Sequence, residues 1–215
     1  MIIAIDGPAG AGKSTVAREV ARALGLAYLD TGAMYRAVTL AALARGIDPA
    51  DGEACARLAR ELELTFDDGG RILVDGWPGE PAIRSAEVSR SVSAVSAHPG
   101  VRRAVVSAQR ALAARQGLVA EGRDTTTVVF PAADHKFFLT ASESERARRR
   151  ARELGEEHRV GAVRAEIERR DRLDSTRAHS PLTRAPDAEL VDTDGRSVAE
   201  VVERILELVR ERKAP

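Results

Sequence analysis

The sequence GPAGAGKS at residues 7–14 limits the possible folds of this chain more than any other feature. It follows the apolar run at residues 2–5 and precedes a segment in which Val16, Val20 and Leu24 recur at helical spacing. The pattern G-x-x-x-x-G-K-[ST] between a buried strand and a helix is typical of a phosphate-binding loop. Its glycines let successive backbone N–H groups point inward at an anion, and the positive end of the helix faces the same anion. The sequence therefore predicts a binding site for a nucleoside triphosphate.

Two side chains of this loop carry chemistry. Lys13 supplies a point charge that can reach the β- and γ-phosphates, and the Ser14 hydroxyl is a ligand for Mg²⁺. Glu121 ends a buried strand over residues 117–121, where its carboxylate would hold Mg²⁺ through water. Two simpler alternatives remain: a glycine-rich turn that only packs a strand on a helix, and a plain turn at residues 121–124.

The composition excludes several classes of function. The 215 residues include 33 basic and 33 acidic side chains, so the net charge is +0 and does not suggest nucleic acid as a partner. A single cysteine, Cys55, excludes an internal disulfide and a cysteine metal cluster. We see no signal peptide and no apolar stretch as long as a membrane span. We therefore expect a cytoplasmic protein that does not bind membranes, and we take a monomer as the default.

The order of the predicted elements favours a parallel α/β sheet, because strands alternate with helices along most of the chain. We expect strands at 27–29, 117–121, 136–140 and 190–192, and helices at 14–24, 33–45, 51–62, 142–155, 161–173 and 198–209. Helical patterning also resumes at Glu87, and Pro99 starts a helix that runs to about 115. The period changes near residue 62. Alternating apolar residues at 62–66 and 71–75 flank Asp67-Asp68-Gly69-Gly70, which is typical of a hairpin. The sequence therefore predicts a small β-containing insert at about 60–95.

Arginines are concentrated in residues 146–177. They are Arg146, Arg148, Arg149, Arg150, Arg152, Arg159, Arg164, Arg169, Arg170, Arg172 and Arg177. Few apolar residues accompany them, so we expect these helices not to be core elements. They are either a solvated face with many i,i+4 ion pairs or a mobile lid that closes over a polyphosphate, and for the whole segment we favour the lid.

Five motifs in order resemble the bacterial cytidylate kinase family over residues 2 to about 210. They are the loop at 7–14, Asp30-Thr31-Gly32 with Met34-Tyr35-Arg36, Glu121-Gly122-Arg123-Asp124 with Thr127 to Pro131, Glu145-Arg146 with Arg149-Arg150, and Arg169-Arg170-Asp171 with Asp174 and Arg177. The resemblance implies a P-loop kinase fold: a parallel β-sheet flanked by helices, with a nucleoside-monophosphate-binding insert and a helical, arginine-rich lid. It implies a single kinase unit over 1–215, with its core at about 1–59, 96–145 and 178–215, the insert at 60–95 and the lid at 146–177.

The resemblance also implies an activity and a role for individual residues. The family transfers the γ-phosphoryl group of ATP to CMP or dCMP and uses Mg²⁺. Its ATP site would comprise Gly7, Pro8, Ala9, Gly10, Ala11, Gly12, Lys13, Ser14 and Thr15, with Arg146 against the adenine and Thr193 in a bordering loop. Its acceptor site would comprise Arg36, Arg123 and Arg177 at the phosphate, Ser93, Arg102 and Asp124 at the cytosine, Arg170 and Asp174 at the sugar, and Thr31. Catalysis would depend on Lys13, Arg123, Arg150, Arg170 and Arg177.

One position departs from the family pattern, which has glycine where this chain has Thr126. If that glycine requires a positive φ, Thr126 is expected to be strained. We expect a local adjustment with function retained, because Arg123 and Asp124 are both present.

Other functions remain as alternatives. The nearest is another small-molecule kinase of the same fold, acting on UMP, AMP or a hydroxyl acceptor such as shikimate; the three predicted cytosine contacts argue against it. A GTPase-like nucleotide switch would select guanine with Asn-Lys-x-Asp, and this chain contains no asparagine. A binding module that recruits a partner protein has no support in the sequence.

Overall fold

The structure is a computed structural model that describes residues 1–67 and 69–211. The chain divides into two compact units. The first comprises Met1–Tyr28, Gln116–Thr176 and the residues from Ser180 onward, and the second comprises Leu29–Arg115 and Arg177–His179. The second unit contains the whole of the predicted insert at 60–95. The division into core, insert and lid stays a prediction, and its last residues, 212–215, lie outside the described chain.

The first unit alternates strands and helices as the sequence predicts. Its elements are β1 (Ile2–Asp6), α1 (Lys13–Leu24), the start of β2 (Ala27–Asp30), β6 (Leu118–Gly122), a π-helical turn (Thr125–Val129), β7 (His135–Thr140), α6 (Glu143–Leu154), a 3₁₀ turn (Glu157–Arg159), α7 (Val160–Thr176), β8 (Glu189–Asp192) and α8 (Val198–Glu211). The π-helical turn and the 3₁₀ turn have no counterpart in the sequence prediction. Within the described residues, no helix combines the length and the apolar character needed to cross a bilayer.

The sheet of this unit has the strand order β2-β6-β1-β7-β8. β1 pairs in parallel with both β6 and β7, and β7 pairs in parallel with β8. The side chains of Ile3, Ile5, Phe137 and Leu139 are buried, and α1 and α8 contribute further apolar side chains to the same core. A parallel strand covered on both faces explains why residues 2–5 form a continuous apolar run. Because β1 lies at the centre, the loop that follows it lies at the middle of the carboxyl edge of the sheet.

Helices α6 and α7 have a small apolar cluster of their own. Ala151, Val163 and Ile167 are buried together with Ala9 of the phosphate loop. The expectation that these helices are not core elements is therefore incomplete. They stay outside the main core of the first unit, but their few apolar residues lie on the faces that meet each other and the loop.

The second unit is built from four helices and a three-stranded antiparallel sheet. Its elements are α2 (Thr31–Ala44), α3 (Gly52–Glu61), β3 (Leu64–Phe66), β4 (Ile72–Val74), β5 (Trp77–Pro78), a 3₁₀ turn (Ala82–Arg84), α4 (Ala86–Ala97) and α5 (Pro99–Ala113). The predicted hairpin is confirmed: Leu64 pairs with Val74 and Phe66 with Ile72. The carboxylate of Asp67 accepts hydrogen bonds from backbone N–H groups in the turn, whereas Asp68 lies outside the described residues. Strand β5, which pairs with β4, was not predicted.

The start of α2 is capped by Asp30, whose carboxylate accepts a hydrogen bond of 2.8 Å from the backbone N–H of Ala33. The cap is therefore Asp30 and not the neighbouring Thr31. Thr31 is the first helical residue and is buried. An aspartate at this position satisfies one of the N–H groups that the first turn leaves without a partner inside the helix.

Candidate active site

The phosphate loop leaves no space for side chains at two of its glycines. Gly7 has φ +151°, and a Cβ there would lie 2.1 Å from the backbone oxygen of Leu139. Gly10 has φ +75°, and a Cβ there would lie 2.7 Å from the backbone oxygen of Arg146. The loop is therefore seated against β7 at one end and against α6 in its middle, and only glycine satisfies both the backbone angle and the space.

Lys13 is buried at the start of α1. Its ammonium donates a hydrogen bond of 2.7 Å to the backbone oxygen of Pro8, within the loop itself. Burial, together with the neighbouring cations Arg123 and Arg170, lowers the pKa of Lys13 to about 7, while Glu121 and Asp171 act in the opposite direction. A lysine that loses charge for lack of water and anions is suited to a site that a polyanion completes.

Ser14 and Glu121, the two residues predicted to act on Mg²⁺, meet in the structure. The Ser14 hydroxyl donates a hydrogen bond of 2.6 Å to Glu121 Oε1, and the Tyr28 hydroxyl lies 3.4 Å from the same oxygen. Glu121 is buried on β6, which neighbours β1 in the sheet. Hydroxyl and carboxylate oxygens are the donors that Mg²⁺ prefers, so this pair fits the ion.

Three arginines gather near the loop, with Asp174 as the partner of two of them and Glu153 as the partner of the third. Arg123 Nε donates a hydrogen bond of 3.2 Å to Asp174 Oδ2, and Arg170 Nε lies 3.9 Å from the same oxygen. Burial, together with repulsion from Arg123 and Arg150, lowers the pKa of Arg170 to about 10, while Asp174 and Asp171 act in the opposite direction. Arg150 also pairs with Glu153 at 2.9 Å. Positive charge therefore exceeds negative charge in this cluster, which favours an anionic ligand.

Arg146 is tied to the phosphate loop by its guanidinium. It donates to the backbone oxygens of Ala9 at 3.0 Å and Ala141 at 3.2 Å, and it forms a close ion pair with Asp171. Asp171 Oδ1 in turn accepts a hydrogen bond of 3.0 Å from the backbone N–H of Ala9. The sequence implied that Arg146 lies against adenine; that role stays a prediction beside these contacts.

Thr193, predicted to border the adenine site, is held by a residue to which the sequence assigned no role. Arg149 donates to the hydroxyl of Thr193 at 2.8 Å and to its backbone oxygen at 2.6 Å. The Thr193 hydroxyl lies within hydrogen-bond distance of the backbone oxygens of Thr140 and Ala11, at 3.0 and 3.4 Å. The segment after β8 is thereby attached to both α6 and the phosphate loop.

Thr126 is not strained, which corrects the expectation from the missing glycine. Among the described residues other than glycine, a positive φ occurs at Asp75 and Ser180 only. Thr126 lies in the π-helical turn, where its N–H and hydroxyl donate to Asp6 Oδ2 at 2.7 and 2.6 Å. Thr125 donates in the same way to Oδ1 of Asp6. Burial raises the pKa of Asp6, and these four hydrogen bonds act against that rise.

Asp124, the carboxylate predicted to read cytosine, directly precedes this turn. It is buried, and its backbone oxygen accepts hydrogen bonds from the N–H groups of Val128 and Val129 at 2.9 and 3.1 Å. The backbone on both sides of Asp124 is therefore fixed, by β6 before it and by the π-helical turn after it.

Thr15, which was predicted to belong to the ATP site, is an exposed residue in the first turn of α1.

In the second unit, Arg36 and Ser93 are positioned by α4. Arg36 is buried and donates to the backbone oxygen of Ile83 at 3.1 Å and to the Ser89 hydroxyl at 3.0 Å. Ser89 and Ser93 are four residues apart on α4, so both lie on one face of that helix. Arg177 is half-buried in the short stretch 177–179 that belongs to this unit.

Arg102 is fixed at the other end of α4. Its guanidinium donates to the backbone oxygen of Ser96 at 3.2 Å and lies 5.2 Å from the centre of the Tyr35 ring. The Ser96 hydroxyl donates to the backbone oxygen of Ser93 at 3.2 Å. The structure thus links two of the three residues predicted to read cytosine through Ser96.

Sequence reasoning missed four residues that organise this region of the first unit: Asp6, Thr125, Arg149 and Asp171. Asp6 had a signal, because a carboxylate at the end of a buried strand, directly before the loop, is placed at the functional edge of a parallel sheet. Arg149 and Asp171 lay within the motifs quoted above but had no distinguishing signal, since an arginine or aspartate on a polar helix usually faces solvent.

The fold and the loop define the class of protein. A parallel sheet with a G-x-x-x-x-G-K-[ST] loop between its central strand and α1, and with cations gathered beside that loop, is the architecture of a P-loop kinase. The sequence model of the cytidylate kinase family matches residues 3–211, and the chain belongs to that family.

Similar proteins agree with this assignment. The chain is 50% identical to the cytidylate kinase of Mycobacterium avium over 99% of this chain and 96% of that protein. It is 51% identical to a bifunctional pantoate ligase/cytidylate kinase of Synechococcus over 99% of this chain, yet spans only 46% of that relative's length. An uncharacterized protein from Eubacterium ventriosum shares the fold, with a TM-score of 0.58, 11% identity and 98% of each chain covered.

Proposed function

We propose that this protein transfers the γ-phosphoryl group of ATP to CMP or dCMP, forming ADP and CDP or dCDP. Family membership and about 50% identity to curated cytidylate kinases support the reaction. The observation that carries it is the group of cations beside the loop, in which Lys13 and Arg170 both have lowered pKa values. Such a group is stabilised when a polyphosphate brings negative charge to it.

The donor site of the proposal is the phosphate loop. Backbone N–H groups of residues 7–15 and the Lys13 ammonium would bind the phosphates of ATP, with Arg146 against adenine and Thr193 beside it. Ser14 and Glu121 would hold Mg²⁺, directly and through water, which would neutralise negative charge on the β- and γ-phosphates.

The acceptor residues of the proposal are described for each unit separately. In the first unit, Arg123 would hold the acceptor phosphate, Arg170 and Asp174 would meet the sugar, and Asp124 would accept from the cytosine amino group. In the second unit, phosphate contacts are proposed for Arg36 and Arg177, base contacts for Ser93 and Arg102, and an acceptor contact for Thr31.

The transfer needs no general base in this proposal. The second pKa of a phosphate monoester is about 6, so the acceptor oxygen is largely ionised near neutral pH. The acceptor oxygen attacks the γ-phosphorus as the bond from that phosphorus to the β,γ-bridging oxygen breaks, and ADP leaves. Lys13, Arg123, Arg150, Arg170 and Arg177 would contribute positioning and electrostatic stabilisation of the charge on the equatorial oxygens.

A substrate panel tests the proposal. ADP formation from ATP and Mg²⁺ is measured with CMP, dCMP, UMP, AMP and no acceptor. We expect strong turnover with CMP and dCMP and little with the others. Turnover with a different acceptor would overturn the roles of Ser93, Arg102 and Asp124, and ATP binding without transfer would overturn the kinase assignment. We also propose a cytoplasmic monomer, which size-exclusion chromatography with light scattering tests for its oligomeric part.

Asp124→Asn should narrow the gap between CMP and UMP. Cytosine presents an amino donor to the carboxylate, whereas uracil presents an acceptor oxygen that would leave the buried carboxylate unpaired. An asparagine side chain can turn a donor toward uracil. The kcat/KM for CMP should fall while that for UMP rises, and Glu143→Gln, an exposed carboxylate on α6, should change neither. Equal kcat/KM values for CMP and UMP in the parent protein would contradict this account.

A further inference from the structure

Ala9 of the phosphate loop contacts α6 and α7 through its backbone N–H, its backbone oxygen and its methyl group. Its backbone N–H donates to Asp171 on α7, and its backbone oxygen accepts from Arg146 on α6, each at 3.0 Å. Arg146 and Asp171 also pair with each other, so the three residues form a closed ring of hydrogen bonds. The methyl group of Ala9 packs with Ala151, Val163 and Ile167 of the same helices.

The position of Asp171 is unusual for a loop that binds phosphate. A carboxylate beside an anion-binding loop repels a triphosphate, and here it also occupies one of the loop's own N–H groups. The guanidinium of Arg146 offsets that charge directly. The ring therefore adds almost no net charge to the site, while it fixes both polar groups of one loop residue.

Ala9 directly precedes the part of the loop that leads to Lys13 and Ser14. Gly10, which follows Ala9, has a positive φ and lies against the backbone of Arg146. The backbone from Gly10 onward leads directly into Lys13 and Ser14 at the start of α1. Because neighbouring backbone angles are coupled through the chain, a change at Ala9 would move the N–H groups that follow it.

We propose that Asp171 is a positioning residue for the phosphate loop, acting with Arg146 on Ala9 so that the loop is preorganised for the triphosphate of ATP. This inference rests on the proposed function, because it names the donor nucleotide as the ligand whose binding depends on the ring. It assigns Asp171 no contact with either substrate. It also means that the two helices predicted to form a lid are attached to the loop at this point.

The test compares Asp171→Asn with Glu168→Gln in the full chain. Glu168 is a matched control, because it is a half-buried carboxylate on α7 that also pairs with an arginine, but its partner is Arg164 rather than Arg146. The two carboxylate oxygens of Asp171 accept from Ala9 and from Arg146 separately. An asparagine side chain has only one acceptor oxygen and no charge, so it cannot replace both contacts and the ring opens. Calorimetry measures Kd for ATP and for CMP, and hydrogen exchange measures protection of the Ala9 amide without any nucleotide.

We expect Asp171→Asn to raise Kd for ATP about tenfold, to speed Ala9 exchange about tenfold and to leave Kd for CMP within twofold. Glu168→Gln should change none of the three. Tighter ATP binding by Asp171→Asn would show that its charge only repels the triphosphate and would overturn the proposal. Unchanged Ala9 exchange, or equal losses for ATP and CMP, would overturn it as well.

A second variant keeps the test decisive if Asp171→Asn does not fold. Arg146→Lys replaces the planar guanidinium with a point charge that cannot serve Ala9, Ala141 and Asp171 together. We expect Ala9 exchange without nucleotide to be about tenfold faster in Arg146→Lys, a readout that does not depend on the adenine contact proposed for Arg146, and unchanged exchange would overturn the proposal. The Ala9 exchange measurement does not require transfer to CMP, so a failed kinase assay and a failed positioning role give different results.

Discussion

Cations in the two units of this protein have opposite surroundings. In the first unit, burial and neighbouring cations lower the pKa of Lys13 and of Arg170. In the second unit, burial also lowers the pKa of Arg84, but hydrogen bonding to Glu80 and the charge of Asp30 outweigh it and raise the pKa overall. Burial acts in the same direction on all three side chains, so the difference comes from the neighbours.

This difference separates a binding region from a structural one. Placing a cation near other cations in a buried region opposes folding, and the rest of the fold must offset that cost. The cost is reduced when a polyanion enters. Arg84 gains its partners from within its own unit, at 3.0 and 3.2 Å, so it contributes to stability without a ligand. Four measurements can break or sharpen this contrast.

The largest effect is expected for Lys13→Met. Removing the ammonium that donates to Pro8 within the loop should lower kcat by about 10²–10³, since it removes electrostatic stabilisation of the transferred group. Steady-state ADP formation measures the change. Arg204→Gln, which breaks an exposed ion pair on α8, is the control and should keep the parent rate. A near-normal kcat for Lys13→Met would contradict the interpretation of the cations in the first unit as part of a catalytic site.

Glu121→Gln should have the next largest effect, on the requirement for Mg²⁺. The amide no longer offers a charged oxygen to the ion or to its water ligands, so about ten times more Mg²⁺ should be needed for the half-maximal rate. Glu200→Gln is a matched control, because Glu200 also accepts from a serine hydroxyl, at 2.7 Å, but lies at an exposed position of α8. Identical Mg²⁺ curves for the two variants would show that Glu121 does not act on the metal.

ATP binding should be accompanied by proton uptake above pH 7. The pKa of Lys13 is about 7 in the protein without nucleotide, and the charge of a triphosphate raises it, so the amine gains a proton when ATP binds at pH 8. Calorimetry in buffers of different ionisation enthalpy measures the uptake, which should approach one proton and be lost in Lys13→Met. Uptake that is undiminished in Lys13→Met would assign the proton to another group.

The lowered pKa of Lys13 also determines how the free energy of unfolding changes with pH. Between about pH 7 and the usual lysine value of 10.5, the unfolded chain holds a proton at Lys13 that the folded chain does not. The contribution of this group to the free energy of unfolding therefore rises with pH across that window.

The smallest effect is expected for Arg84→Met in the second unit. Its side chain is 43% exposed, so solvent screening limits the loss to about 1 kcal/mol of unfolding free energy. Urea denaturation measures it, and ATP affinity should not change. Arg57→Met, which breaks an exposed pair on α3, is the control and should leave stability unaltered. If ATP affinity fell with Arg84→Met, the contrast between the two units would fail.

The sequence predicted the elements well and the contacts poorly. Apolar periodicity located the strands around the loop and all the long helices, because burial imposes that periodicity directly on the residues. It missed β5 at Trp77–Pro78, which is short and exposed. It also missed the π-helical turn after Asp124, because the threonines that donate to Asp6 show no distinctive spacing.

Thr126 shows why a resemblance can mislead at a single position. A missing glycine suggested backbone strain, yet the residue adopts an ordinary φ and supplies two hydrogen bonds to a buried carboxylate. Asp171 shows the opposite case, since a charged residue on a polar helix turned out to contact the loop backbone.

By itself, the sequence determined the phosphate loop, the α/β fold class and the family, because each depends on residue types at fixed spacing along the chain. Tertiary structure decided which polar groups meet: Lys13 with Arg123 and Arg170, Ser14 with Glu121, and Asp171 with the backbone of Ala9. Ser14 and Glu121 are 107 positions apart in the sequence, and Ala9 and Asp171 are 162 positions apart. Their energies depend on distance and burial, which the fold creates and which no local pattern records.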